Sequence, residues 1–330
     1  MFLPDPRGPL SRHLLERLVQ SPHDFPSPPP EGDPLEDDDF HLALYLCYEL
    51  HYRGLTGVSE AWEWSPSQIA FRQSLEARFE DALRSRIPVA SSNGDIAARL
   101  RAVTEADSHP SLADFMRFQS TIEQFKEFVV HRSAYQLKEA DPHSWVIPRL
   151  SGRAKAALVE IQADEYGSGS AERIHARLFA NTMDALELDS DYGAYVDVIP
   201  GVSLATVNLM SMFGLNRRLR GAAVGHLAVF EMTSSVPNGK YASALRRLGA
   251  DGATHFFDEH VEADAAHEMI ALHDMAAALA EDEPALAGDI LFGARALVDL
   301  DAAFARHLMS SWAAERSSLY ISDASAPLSP

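Results

Sequence analysis

The segment His260-Val261-Glu262-Ala263-Asp264-Ala265-Ala266-His267 constrains this chain more than any other. On a helix, at roughly 100° per residue, positions i, i+4 and i+7 fall within about 60° of one another, so two imidazoles and a carboxylate share a face. Phe256, Phe257, Val261, Met269 and Ile270 form an apolar stripe that such a helix must bury, and His260, Asp264 and His267 lie beside it. Histidines and acids interspersed along a helix also suit a solvated acidic face. The apolar neighbours favour the interior, where two imidazoles and a carboxylate make half of a metal site. The other half has to come from other helices.

Most of the rest of the sequence can supply them. Helical periodicity is read over 40–52, 66–85, 94–106, 111–140, 151–165, 171–188, 204–215, 217–234, 240–248, 252–279 and 283–316. Strand character is confined to 195–199, between Gly193 and Pro200, and reads as a connection. The expectation is an all-α bundle. Residues 1–38, rich in proline and acid, are expected to be an arm, 39–316 a single helical domain and 317–330 a tail.

Composition narrows the partners. A 330-residue chain with 46% hydrophobic residues can bury a large core. Its net charge of −20 repels nucleic acid and anionic membrane surfaces, both of which demand basic patches. No apolar run reaches the ~18 residues needed to span a bilayer, and the N-terminus lacks a basic and then apolar leader, so a cytoplasmic protein is expected. The single Cys47 excludes a disulfide within the chain and a thiolate metal cluster, and it reads as a small buried hydrophobe.

The segment 158–175 offers further ligands, with Glu165 before and His175 after a Gly167-Ser168-Gly169 joint. Glycines are poor helix residues, so the helix bearing Glu165 should end there and another begin before His175. Taken with Glu139 and the His-x3-Asp-x2-His helix, this pattern resembles the haem-oxygenase-like diiron oxidases and oxygenases, the iron-containing redox enzymes. The resemblance covers roughly 110–316 and implies a haem-oxygenase-like helical bundle. It also implies six metal ligands: Glu139, Glu165, His175, His260, Asp264 and His267. Asp141 and His143 stand close to Glu139 as competitors. A ferritin-like reading instead pairs Glu172-x-x-His175 with Asp264-x-x-His267; it leaves His260 without a task and wants Glu where Asp264 stands.

Other candidates carry less. Glu123, Glu127 and His131 at i, i+4 and i+8 read as a polar helix face, Glu231 as a structurally satisfied acid or a pocket acid, and His226 and His255 as capping or core histidines. Tyr135, Tyr166, Phe179, Met210, Phe213, Phe230 and Phe256 could line a pocket, although such stripes usually belong to core.

The resemblance further implies two Fe(II) per chain, dioxygen as co-substrate, a peroxo-diiron(III) species, an external electron donor and a small-molecule substrate. N-oxygenation of an amine is the preferred outcome, and desaturation or C–C cleavage of an aliphatic or amino acid the alternative. Two other classes compete: a cofactorless or single-metal enzyme of the same fold, and a non-catalytic helical or ferritin-like iron-binding protein. Bundles of this kind commonly pair, so a homodimer is one expected assembly.

Overall fold

A computed structural model describes residues 1–29, 32–87, 94–106 and 110–321, and for 262–266 the helical backbone alone. The described residues are helices, short 3-10 turns and connections, with no strand among them. The helices are α1 (Pro9–Leu18), α2 (Asp38–Glu49), α3 (Pro66–Arg86), α4 (Ile96–Glu105), α5 (Leu112–Phe118), α6 (Ile122–Gln136) and α7 (Asp141–Ser144). After them come α8 (Gly152–Glu165), α9 (His175–Ala185), α10 (Gly201–Leu215), α11 (Arg220–Arg247), α12 (His255–Met269), α13 (Ala278–Asp282) and α14 (Ala287–Ala313). A π-helical stretch, Ile270–Ala277, joins α12 to α13. The 195–199 connection holds a 3-10 turn, Val196–Val198.

α10 is apolar on all sides and buried from Gly201 to Gly214, as a central helix must be. It packs on α2, α11 and α14. α11 and α14 cross at Gly225 and Gly293, where a Cβ on either would collide with the carbonyl of Ile290 or Ala222, so glycine permits the backbones to touch. α11 also links two apolar cores. Its Ala222–Val229 stretch enters one and Ala242, Ala244 and Leu245 the other, with Glu231 between them.

Three helix boundaries differ from expectation. The 111–140 run is two helices, because Thr121 accepts the Gln124 N–H (3.2 Å) while Gln124 Oε1 accepts the Thr121 N–H (2.9 Å), a capping box that starts a new helix. The runs 217–234 and 240–248 are one helix, α11, which continues through Pro237 because its packing on α12 and α14 outweighs the local break. Within the proline-rich arm, α1 buries Leu10, Leu14, Leu15 and Leu18, and its Leu10 and Ser11 N–H groups donate to Asp39 at the start of α2 (2.7 and 2.8 Å). No helix of the described residues is long and apolar enough to cross a membrane.

Candidate metal centre

α8 ends on Glu165 and α9 begins on His175, as the intervening glycines predict. Gly167 (φ 73°), Ser168 (φ 49°) and Gly169 (φ 89°) turn the chain back on itself. A Cβ at Gly167 would meet the Arg173–Ile174 backbone at 2.7 Å, so only glycine permits the close fold-back. The result sets His175 Nδ1 2.9 Å from Glu165 Oε2.

Two groups of potential ligands share Glu165. Glu139, Glu165, His175 and His260 bring ligand atoms within 4.8 Å of one another, and Glu165, Glu231 and His267 do the same. All six residues are buried. Glu139 lies in the turns beyond α6, Glu231 in the middle of α11, and His260 and His267 two turns apart on α12. Of the six ligands implied by the resemblance, the structure therefore gathers five. The side chain of Asp264 lies outside the described residues.

Glu231 is the member that sequence reasoning discounted. Its signal was a lone acid closing an apolar run, 222–230, and burial of that run carries the acid inward. Asp164, next to Glu165, also went unnoticed. Its Oδ2 is 3.1 Å from His267 Nε2, which leaves Nδ1 facing Glu231 Oε2 at 3.4 Å. A carboxylate on one imidazole nitrogen fixes the ring and frees the other nitrogen as a ligand. His260 is set similarly, its Nδ1–H donating to the Phe256 carbonyl (2.8 Å) while Nε2 faces Glu139 Oε1 at 3.7 Å.

The ferritin-like alternative fails on Glu172, which is exposed on a 3-10 turn and absent from both groups. Asp141 and His143 do not replace Glu139 either. Asp141 accepts from the Tyr166 hydroxyl (2.9 Å), and His143 pairs with His226 (Nε2 to Nδ1, 3.2 Å). Glu127 accepts from the Trp312 indole (2.8 Å) and from Ser318, and His131 is held between the hydroxyls of Ser203 (2.8 Å) and Ser318 (2.9 Å). Together they clamp the end of the domain, while Glu123 is exposed. His255 is exposed at the start of α12.

The donor set fits a divalent cation. Glu139 Oε2, Glu165 Oε2 and His175 Nδ1 are buried without a hydrogen bond among the described residues, the last two being close but misaligned for one. With His260, these residues bring ligand atoms within 4.8 Å of one another, close enough to share one cation. Glu139, Glu165, Glu231 and His260 line a pocket of about 10 Å³, and neither Lys nor Arg lines it. Burial opposes ionisation of Glu165, yet His175, then His260 and His267, hold its carboxyl below the usual range. Burial likewise opposes a charged His267, but Glu231, Asp164 and Glu165 raise it to about 9. Imidazole with carboxylate is a donor set suited to iron.

Gln162 on α8 donates to the Ala140 carbonyl (2.7 Å) and to Ser144 Oγ (2.8 Å), tying the Glu139 turn to the helix bearing Glu165. Tyr135 and Phe230, packed edge to face with centroids 5.5 Å apart, line the pocket. Burial, then Glu139, Glu165 and Glu231, push the Tyr135 phenol well above its ordinary value, so it stays protonated. Of the other expected pocket residues, Phe179, Met210, Phe213 and Phe256 belong to the apolar cores, and Tyr166 is partly exposed.

An all-α bundle that buries three carboxylates and three imidazoles in two overlapping ligand groups defines a class of helical proteins able to hold metal. The family model described as iron-containing redox enzyme matches residues 126–302, more than half of the sequence, and the chain belongs to that family of iron-containing oxidoreductases. It is also 31% identical over 137 residues to nitrosourea synthase of Streptomyces achromogenes subsp. streptozoticus. That alignment covers 41% of this chain and 29% of the relative, so it spans under a third of the relative's length.

Proposed function

We propose that the chain is a dioxygen-dependent diiron enzyme that oxygenates the nitrogen of a small amine. The observation that carries this reading is the sharing of Glu165 between two ligand groups, so that its carboxylate would contribute to both metal positions. Glu139, His175 and His260 would hold one iron and Glu231 and His267 the other, and Asp264 is a further ligand that the resemblance implies. Bound Fe(II) supplies the electron transfer to dioxygen that side chains cannot perform.

The chain's own residues do the rest. Asp164 and the Phe256 carbonyl orient His267 and His260, and Gln162 sets the Glu139 turn against α8. Tyr135 and Phe230 shield the pocket from water. Burial pushes His143 down to about 4 and His226 lower still, so the pair is neutral and is held by one N–H···N bond between Nε2 of one ring and Nδ1 of the other.

N-oxygenation is favoured by the similarity to a nitrosourea synthase, whose named product carries oxygen on nitrogen. A primary amine, dioxygen, two protons and two electrons give a hydroxylamine and water, so an external electron donor is part of the proposal. Anaerobic loading with Fe(II), iron counting and rapid mixing with oxygenated buffer test it. Close to two irons per chain with a transient visible band supports the reading; an iron-free chain, or one indifferent to dioxygen, refutes it.

A further inference from the structure

The 10 Å³ pocket at the carboxylates has room for about one water and cannot hold a substrate. Next to it, across Tyr135 and Phe230, lies a cavity of about 380 Å³, within the range of small-molecule sites. Its walls come from α4, α5, α6, α11, α12 and α14. They mix aromatic and aliphatic side chains with polar ones, Asn238, Thr233, Ser234 and the acid Asp301 among them.

Arg132 is the one cationic side chain lining this chamber among the described residues. Its guanidinium lies over the Phe304 ring at 4.6 Å and is 5.7 Å from that of Phe128, so its position is fixed by packing. It has no hydrogen bond among the described residues; Asp301 stands at 3.6 Å, beyond hydrogen-bond length, on a side chain 37% exposed. A partly exposed acid at that distance is screened, whereas a carboxylate brought into the chamber can take two parallel N–H bonds from the fork. One turn further along α6, Gln136 Oε1 is buried without a partner, and Gln136 lines the same chamber. On the facing wall α11 carries Pro237, which has no N–H to give the Thr233 carbonyl.

We propose that this chamber recognises the substrate and that Arg132 receives a carboxylate carried by it, with Gln136 accepting an N–H of the same molecule. The inference rests on the reading of the neighbouring pocket as the oxidising centre. Arg132, Gln136 and Glu139 follow one another along α6 and its end, and seven residues at 1.5 Å rise span roughly 10 Å. A six-carbon ligand suits that span, with its carboxylate on Arg132 and its amino end at Gln136, on the side of the ligand groups.

The test uses the full chain, loaded with Fe(II) and kept anaerobic, titrated with hexanoate, 6-aminohexanoate and hexylamine by calorimetry. Hexanoate and 6-aminohexanoate are expected to bind at least about tenfold more tightly than hexylamine. Arg132→Gln should weaken both carboxylates by about tenfold or more and leave hexylamine and the iron count unchanged, with Arg132→Lys intermediate. Gln136→Leu should weaken 6-aminohexanoate selectively. Hexanoate binding that is the same in Arg132→Gln, as direct ligation to iron would give, overturns the proposal, as does tighter binding of hexylamine. Should Arg132→Gln fail to hold iron, Arg132→Lys decides, and wild-type affinity there counts against a bidentate site. A chain that binds hexanoate through Arg132 yet ignores dioxygen breaks the functional reading alone; one that consumes dioxygen but binds hexanoate regardless of Arg132 breaks this inference alone.

Discussion

Lys138 and Glu139 are adjacent in sequence and both buried, yet they enter opposite kinds of polar interior. Lys138 forms an ion pair with Glu49 and sits over the rings of Tyr45 (4.7 Å) and Tyr52 (4.3 Å), while Tyr192 donates to the other oxygen of Glu49 (2.6 Å). One cation meets one anion and the network closes. Glu139 faces Glu165, which also faces Glu231, with neither Lys nor Arg lining the pocket. Two carboxylates within 4.8 Å repel by about 3 kcal/mol at an effective dielectric of 20. The difference separates structure from function: the Lys138 network is complete within the chain, whereas the Glu139 cluster calls for a cation from outside.

Breaking the closed side should cost the most. Lys138→Met leaves Glu49 buried and unpaired, so denaturant melts should show a loss of about 3–5 kcal/mol, with the iron content of the folded fraction kept. On the open side, Glu165→Ala removes the residue common to both groups. Dioxygen consumption should fall more than about 100-fold, and the metal-free chain should melt somewhat lower than wild type at neutral pH, since His175, His260 and His267 lose the carboxylate they hold ionised. Asp164→Asn loosens the orientation of His267 and should weaken iron binding about 10- to 100-fold by competition with a chelator.

A third buried polar site sharpens the contrast through pH. Burial pushes His131 down to about 3, against 6.5 in the unfolded chain. A depressed value means that its contribution is full above pH 6.5 and is lost as pH falls toward 3, about 2 kcal/mol being gone by pH 5. His131→Gln should flatten that part of the acid-stability curve in urea melts. The smallest signal is expected at the glycine joint, where Fe(II) should slow hydrogen exchange across 160–178 by roughly tenfold relative to the metal-free chain. Equal exchange in both forms would mean that the joint is rigid without metal.

Most of the helices, and the proximity of His260 and His267 to the interior, were legible because burial follows the helical period. The break between α8 and α9 was legible from Gly167 and Gly169. Glu231 was harder, since a single acid after an apolar run has the same local pattern whether it meets one hydrogen-bond donor or a ligand cluster; only the packing of α11 on α12 decides. Asp164 left no trace, because its partner His267 is over a hundred residues away. Conversely, Glu172 makes a convincing Glu-x-x-His motif, but it falls in a 3-10 turn where helical spacing does not apply. The chamber beside the pocket draws on six helices and has no linear signature.

The fold-back at Gly167 also bears on the order in which the centre assembles. Glu165 and His175 are ten residues apart, whereas Glu139 and His260 are separated by 121. Loop-closure entropy grows as the logarithm of that separation, which favours the local pair by about 2 kcal/mol before any tertiary contact forms. A refolding chain therefore presents Glu165 and His175 together first, a two-point grip on an arriving ion around which the distant helices later close.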